Sequence, residues 1–159
     1  MMRIEIDGEY SGIKFSASHF IPGHAKCGRL HGHSYTLRLV LYGDKAEDGM
    51  VMDFVDLKRS LKSIVEELDH RILLPGRSRG MTIKKGREVE VLVGGKRYVL
   101  PQEDVIILDI SQTSAEELAE LILGRLIREL DPPANVKIIE VGLDEERGQT
   151  AWVKREVND

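Results

Sequence analysis

The feature that most limits what this 159-residue chain can fold into is a change of hydrophobic period at Asp53. Upstream, His33 to Tyr42 reads HSYTLRLVLY, rich in β-branched and aromatic residues with period-two character, the pattern of a strand. From Asp53 onward Phe54, Leu57, Leu61, Ile64 and Leu68 recur at helical spacing, with Asp53 placed to cap the first turn. A second helix is equally legible. TSAE at 113–116 has the form of a capping box, and Leu118, Leu121, Ile122, Leu126 and Ile127 supply an apolar face. Asp131-Pro132-Pro133 then stops it, because proline cannot continue a helix.

Strand patterns occupy both ends of the chain. Residues 2–21 alternate loosely and end in IKFSASHF, which reads as a strand running into a loop. Two more strands are predicted near Val136–Leu143 and Gln149–Val157. The sum is one α+β domain over residues 1–159, a four-stranded antiparallel sheet with two helices on one face. Residues 76–108 are an insertion between the helices. Within it EVEVLV-GG-KRYVL predicts a β-hairpin, either a rim hairpin on a surface loop or a lid over a site. A sheet covered on one side keeps open edges and an exposed face, so a homo-oligomer is predicted.

Charge narrows the function. The net charge is -4 with a pI near 5.8, and the Lys and Arg residues are scattered. That argues against a nucleic-acid partner and against a basic membrane-surface helix. No apolar run approaches the roughly 18 residues a bilayer-spanning helix needs. The start, MMRIEIDGEY, lacks the apolar core of a signal peptide, and a single cysteine suits a reducing compartment. A cytoplasmic location is therefore expected.

The chemistry is concentrated in CGRLHGH at 27–33, which holds the one cysteine and two of the five histidines. His31 and His33 are two apart, so on a strand both imidazoles project from one face. His19, at the end of the preceding strand, is placed to supply a third nitrogen. Three imidazoles favour Zn²⁺, and such a set leaves a fourth position open for water or substrate. Cys27 has three readings: a fourth ligand closing a structural site, a small buried hydrophobe, or a reactive thiol whose pKa the metal and imidazoles lower. Asp69-His70, ending the first helix, reads either as a helix-end cap or as a carboxylate–imidazole pair able to serve a thiol. His24, in PGHAKC, reads as a solvated loop histidine.

These residues, taken in order as FSASHF, CGRLHGHSY, GMVMDF, LDHRIL and TSAEEL, resemble the 6-pyruvoyl-tetrahydropterin synthase and 6-carboxytetrahydropterin synthase family. The three-residue gap between Cys27 and His31 resembles the carboxytetrahydropterin branch, which serves deazapurine pathways. The resemblance implies a tunnelling fold, commonly assembled as a hexamer, with Zn²⁺ held by His19, His31 and His33. It implies Cys27 as general base, in a relay with His70 and Asp69. The substrate implied is 7,8-dihydroneopterin triphosphate, cleaved with release of triphosphate and acetaldehyde. The rivals are pyruvoyl synthase chemistry, which eliminates triphosphate without carbon–carbon cleavage, and a non-catalytic pterin- or purine-binding oligomer braced by zinc. VGLDEERGQTAW departs from the family's usual V-x-V-x-E-T. Aligning Val141 and Leu143 with its apolar positions puts Glu145 on the pterin-gripping glutamate and Glu146 where threonine is usual. Backbone N–H groups near Thr113 and Ser114 are expected to add ring contacts. Lys26, Arg29 and the 77–87 stretch are candidates for the triphosphate.

Overall fold

The structure is a computed structural model and describes residues 1–158. In chain order the elements are β1 (Met2–Asp7), the single turn α1 (Gly8–Ser11), β2 (Lys14–His19), β3 (His31–Gly43), α2 (Phe54–Leu68) and β4 (Arg71–Pro75). There follow β5 (Met81–Lys85), β6 (Glu88–Val93), β7 (Lys96–Pro101), a 3-10 turn at Gln102–Asp104 and β8 (Val105–Leu108). The chain closes with α3 (Ala115–Leu130), β9 (Val136–Glu146) and β10 (Gln149–Glu156). Among the described residues seven strands form one sheet, in the order β10-β9-β3-β2-β4-β8 with β1 pairing β3, and three form a second, β5-β6-β7. No helix among them is long and apolar enough to cross a membrane.

The antiparallel strands expected from the sequence are present, with two differences. The run at 2–21 is not one strand. β1 ends with Asp7 opposite Arg38, β2 begins with Lys14 opposite Thr36, and residues 8–13 bulge out across from Leu37. The bulge closes on itself: Ile13 N–H donates to Gly8 O and Leu37 N–H to Ile13 O, both at 3.0 Å. Gly12 then ends the turn at φ 72. The sheet is also wider than four strands, because β4 and β8 add to β2 in parallel. RILLP and VIIL are too short and too uniformly apolar for periodicity to separate strand from buried loop.

Odd-numbered residues of β2, β3 and β9 face the helices. Phe15, Tyr35, Leu37, Leu39, Leu41, Val141 and Leu143 are buried there against α2 and α3. α2 forms as the pattern predicts: Asp53 accepts from Val55 N–H, and Leu57, Leu61, Ile64 and Leu68 are buried. Each fully buried leucine contributes about 1.5–3 kcal/mol of transfer free energy. The opposite face is polar, with Arg38 set between Asp7 (2.5 Å) and Asp144 (3.1 Å).

The predicted hairpin is β6–β7, and Gly94 and Gly95 both take the positive φ its two-residue turn requires. It does not stand alone. β5 completes a small sheet whose Val89, Val91 and Val93 form a second core with Phe20 and Leu74. Phe20 stacks on Tyr98 with ring centroids 5.2 Å apart. The insertion therefore braces the chain immediately after His19.

Candidate metal centre

β2 and β3 are antiparallel, with His19 directly opposite His31 and Ala17 opposite His33. All three imidazoles lie on the helix-facing side, just where α2 and α3 stop covering it. Ring centroids are 4.7 Å apart for His19–His31, 5.1 Å for His19–His33 and 5.0 Å for His31–His33. One nitrogen of each lies within 4.8 Å of the others, so the set can hold a metal ion.

Hydrogen bonding fixes which nitrogens face inward. His19 Nδ1 is 2.8 Å from Thr113 O, and His31 Nδ1 is 2.6 Å from Arg29 O. His33 Nδ1 is 3.2 Å from Glu146 Oε1. Each partner oxygen can only accept, so in the neutral imidazole Nδ1 carries the proton and Nε2 is the nitrogen with the free lone pair. The Nε2 atoms of His19 and His33 are buried with no hydrogen-bond partner. Burying an unsatisfied acceptor is costly, and a cation between the rings would remove that cost. Burial, followed by the charges of His31 and His33, pushes His19 down to about 4 against the opposing effect of the Thr113 carbonyl. At neutral pH His19 is thus the uncharged imidazole a metal requires.

The α3 cap places Thr113. The box is shifted by one residue from the TSAE reading: Ser114 is the cap, its Oγ accepting from Glu117 N–H at 3.4 Å. Glu117 in turn accepts from the N–H groups of Ser111 and Gln112, at 2.8 and 3.1 Å. Thr113 is thereby left outside the helix, fully buried, with its carbonyl and its hydroxyl (3.1 Å) both on His19 Nδ1.

Glu145 and Glu146 bracket His33. Glu145 Oε1 is 3.5 Å from Nε2, on the inner side, and Glu146 meets Nδ1 on the outer side. Glu145 also lines a hollow of about 300 Å³ at the start of α3, with Ala115, Glu116, Gln149, Thr150 and Ala151. Tyr35 lies beneath the imidazoles, 5.6 Å from the His33 ring, its buried hydroxyl unpartnered and its pKa pushed up by burial and by Glu145.

Cys27 is half-buried in the loop before β3 and is not a member of the three-histidine cluster. His24 is an exposed loop histidine, as expected, and it also organises that loop. Its Nδ1 accepts from the N–H groups of Lys26 (3.2 Å) and Cys27 (2.9 Å), while Ile21 N–H donates to Cys27 O at 2.7 Å. Asp69 and His70 are clamped on β2: Asp69 Oδ1 accepts from Ser16 N–H at 2.8 Å, and His70 N–H donates to Ser16 O at 2.6 Å. The Ser16 N–H, ahead of the His70 imidazole 2.8 Å away, holds the Asp69 carboxyl below the usual carboxylate range. The His70 side chain is 82% exposed at φ 57, an uncommon backbone state outside glycine. It borders an open hollow of about 1200 Å³ on the polar face, together with Ser16, Ser34, Arg38 and Arg147. Among the described residues no hydrogen bond joins Cys27 Sγ to His70 within one chain. Arg77, one of the cations suggested for a triphosphate, is engaged by Asp109 Oδ1 at 2.9 Å.

Known proteins place these features in one family. The family profile described as 6-pyruvoyl tetrahydropterin synthase matches residues 10–156. A Methanocaldococcus jannaschii protein, provisionally named 6-carboxy-5,6,7,8-tetrahydropterin synthase, is 35% identical over 158 residues, 97% of each chain. The Haemophilus influenzae 6-carboxy-5,6,7,8-tetrahydropterin synthase is 30% identical over 131 residues, 77% of this chain and 81% of that one. Among solved structures, Plasmodium vivax 6-pyruvoyltetrahydropterin synthase matches with a TM-score of 0.91 at 30% identity, covering 98% of both chains. The tunnelling-fold architecture implied by the motifs is the one present.

Proposed function

This chain belongs to the 6-pyruvoyl tetrahydropterin synthase family, and on that footing we propose that it is a Zn²⁺-dependent 6-carboxy-5,6,7,8-tetrahydropterin synthase. Its substrate is 7,8-dihydroneopterin triphosphate, cleaved with release of triphosphate and acetaldehyde. The observation that carries the reading is the convergence of three Nε2 lone pairs, each fixed by an oxygen on its Nδ1. The carboxy branch is preferred because the M. jannaschii and H. influenzae relatives bear that name. The 30% identity to the P. vivax protein favours the pyruvoyl reaction as the second reading.

His19, His31 and His33 are the residues that hold the ion. When bound, Zn²⁺ supplies Lewis acidity to the oxygens of the substrate side chain. Glu145, opening onto the hollow at the start of α3, accepts two N–H bonds from the guanidine-like edge of the pterin, which paired carboxylate oxygens suit. Cys27 takes a proton from the side chain as its thiolate, and His70, oriented by Asp69, carries protons between steps. Cys27 lies in the loop leading to β3, and the His70 imidazole stands exposed where α2 runs into β4. A neighbouring copy covering that surface would enclose it. The chain is a homo-oligomer, a hexamer by the family's habit. The unpaired edge of β10 and the polar open face of the sheet support this.

The test is to incubate zinc-loaded protein with 7,8-dihydroneopterin triphosphate and identify the products by mass. Acetaldehyde with a carboxylated tetrahydropterin supports the first reading. Triphosphate release without acetaldehyde transfers the assignment to the second, and unconsumed substrate removes both.

A further inference from the structure

We infer that Glu146 is the positioning residue for His33: its carboxylate takes the Nδ1–H and so holds Nε2 toward the ion, through a β-bulge at Glu145. The inference rests on the metal reading above. Consecutive strand residues point to opposite faces, yet Glu145 and Glu146 both reach one imidazole, at 3.5 and 3.2 Å. The register of β9 against β10 explains this. Glu146 stands opposite Gln149 and Asp144 opposite Thr150, so Glu145 has no partner across the ladder. A bulge of that kind adds a residue to one strand and re-aims the side chains around it. Asp144 is meanwhile pinned to the other face, accepting from Thr150 Oγ1 at 2.6 Å and from Arg38 Nη2 at 3.1 Å.

The three imidazoles are not supported alike. His19 and His31 give their Nδ1–H to main-chain carbonyls, those of Thr113 and Arg29, which side-chain substitution leaves in place. His33 gives its Nδ1–H to a charged side chain. A carboxylate on the far nitrogen fixes the tautomer, orients the ring and raises the basicity of the nitrogen that binds metal. His19 also has the neutral Thr113 hydroxyl at 3.1 Å, so His33 is the ligand whose Nδ1 rests on a charged side chain. Glu146 is 61% exposed, so replacing it leaves the core untouched.

The experiment uses the full chain, with Glu146→Thr and Glu146→Gln beside the parent. Zn²⁺ affinity is read by competition with a chromophoric chelator, and the His33 tautomer by long-range ¹H–¹⁵N spectra of zinc-free protein. Glu146→Thr should bind Zn²⁺ about 10–100-fold more weakly and lose the preference for Nδ1–H, the usual range for removing a partner behind a metal-bound histidine. Glu146→Gln keeps an acceptor oxygen without the charge, so it should keep the tautomer and lose less affinity. If Glu146→Thr matches the parent in affinity and tautomer, the inference is wrong while the metal reading stands. A parent that binds no Zn²⁺ overturns the metal reading instead, and the tautomer alone then decides the role of Glu146.

Discussion

A methyl group added at Gly8 would lie 2.0 Å from the carbonyl oxygen of Leu37 and 2.8 Å from that of Ile13. Neither atom is free to move: the Ile13 carbonyl accepts from Leu37 N–H, Ile13 N–H closes the bulge on Gly8 O, and Leu37 belongs to the central strand β3, paired with Leu143 of β9. Relieving the clash means parting those two hydrogen bonds, about 1 kcal/mol each, on top of an overpacking cost of about 1–3 kcal/mol. Gly8→Ala should therefore destabilise the fold by about 3–5 kcal/mol, a fall in Tm on the order of 10 °C for a chain of this size. Gly12, four residues on in the same bulge, provides the control. Its φ is 72 but an added methyl meets nothing within 4 Å, so Gly12→Ala should cost only about 1–2 kcal/mol of left-handed strain. Thermal and urea denaturation followed by circular dichroism measure both. The bulge also sets the register that puts His19 opposite His31, so Zn²⁺ affinity should fall further in Gly8→Ala than in Gly12→Ala. Equal losses in the two variants, or a larger one at Gly12, would refute the idea that close backbone approach, rather than dihedral strain, governs the bulge.

Acid should weaken the metal-free protein above the range where carboxylates titrate. His19 is held down to about 4 from 6.5, so unfolding takes up a proton between those values. Its contribution, about 3 kcal/mol, is complete above pH 6.5 and lost as pH falls toward 4. Urea denaturation of parent and His19→Gln at pH 7 and pH 5 checks this, and an equal change in both would contradict it. In the Cys27 loop, His24→Ala removes the acceptor for two N–H groups and should slow turnover about tenfold, roughly one hydrogen bond's worth. His24→Asn keeps a short acceptor and should remain near the parent rate; equal rates for both variants would mean the loop is held by other contacts. Cys27→Ala should retain Zn²⁺ while losing about 100-fold or more in rate. An unchanged rate would take Cys27 out of the chemistry.

What the sequence disclosed was whatever rests on local spacing. The change of period at Asp53 specifies α2 and its cap, because 3.6-residue repetition and an Asx cap are properties of a few neighbouring residues. HGH on a strand likewise specifies two imidazoles on one face. The bulge at residues 8–13 escaped notice because the glycine that permits it answers to the Leu37 carbonyl, a contact distant in sequence. The partners behind the imidazoles escaped for the same reason: Thr113 is 94 positions from His19, and Glu146 is 113 from His33. TSAE announced a helix start, but either hydroxyl could cap it, and the choice of Ser114 is what frees Thr113. A signal for the Glu145 bulge did exist, in two consecutive glutamates before a tight turn at Gly148 (φ 81). Its consequence depends on the register with β10, which no local pattern encodes.

Zinc content is the most direct test of the site itself. Elemental analysis of the protein purified without chelators, alongside His31→Ala and His33→Ala, should find about one Zn²⁺ per parent chain, as a three-histidine open site binds, and almost none in either variant. A parent free of metal, or variants that retain it in full, would contradict the account at its base.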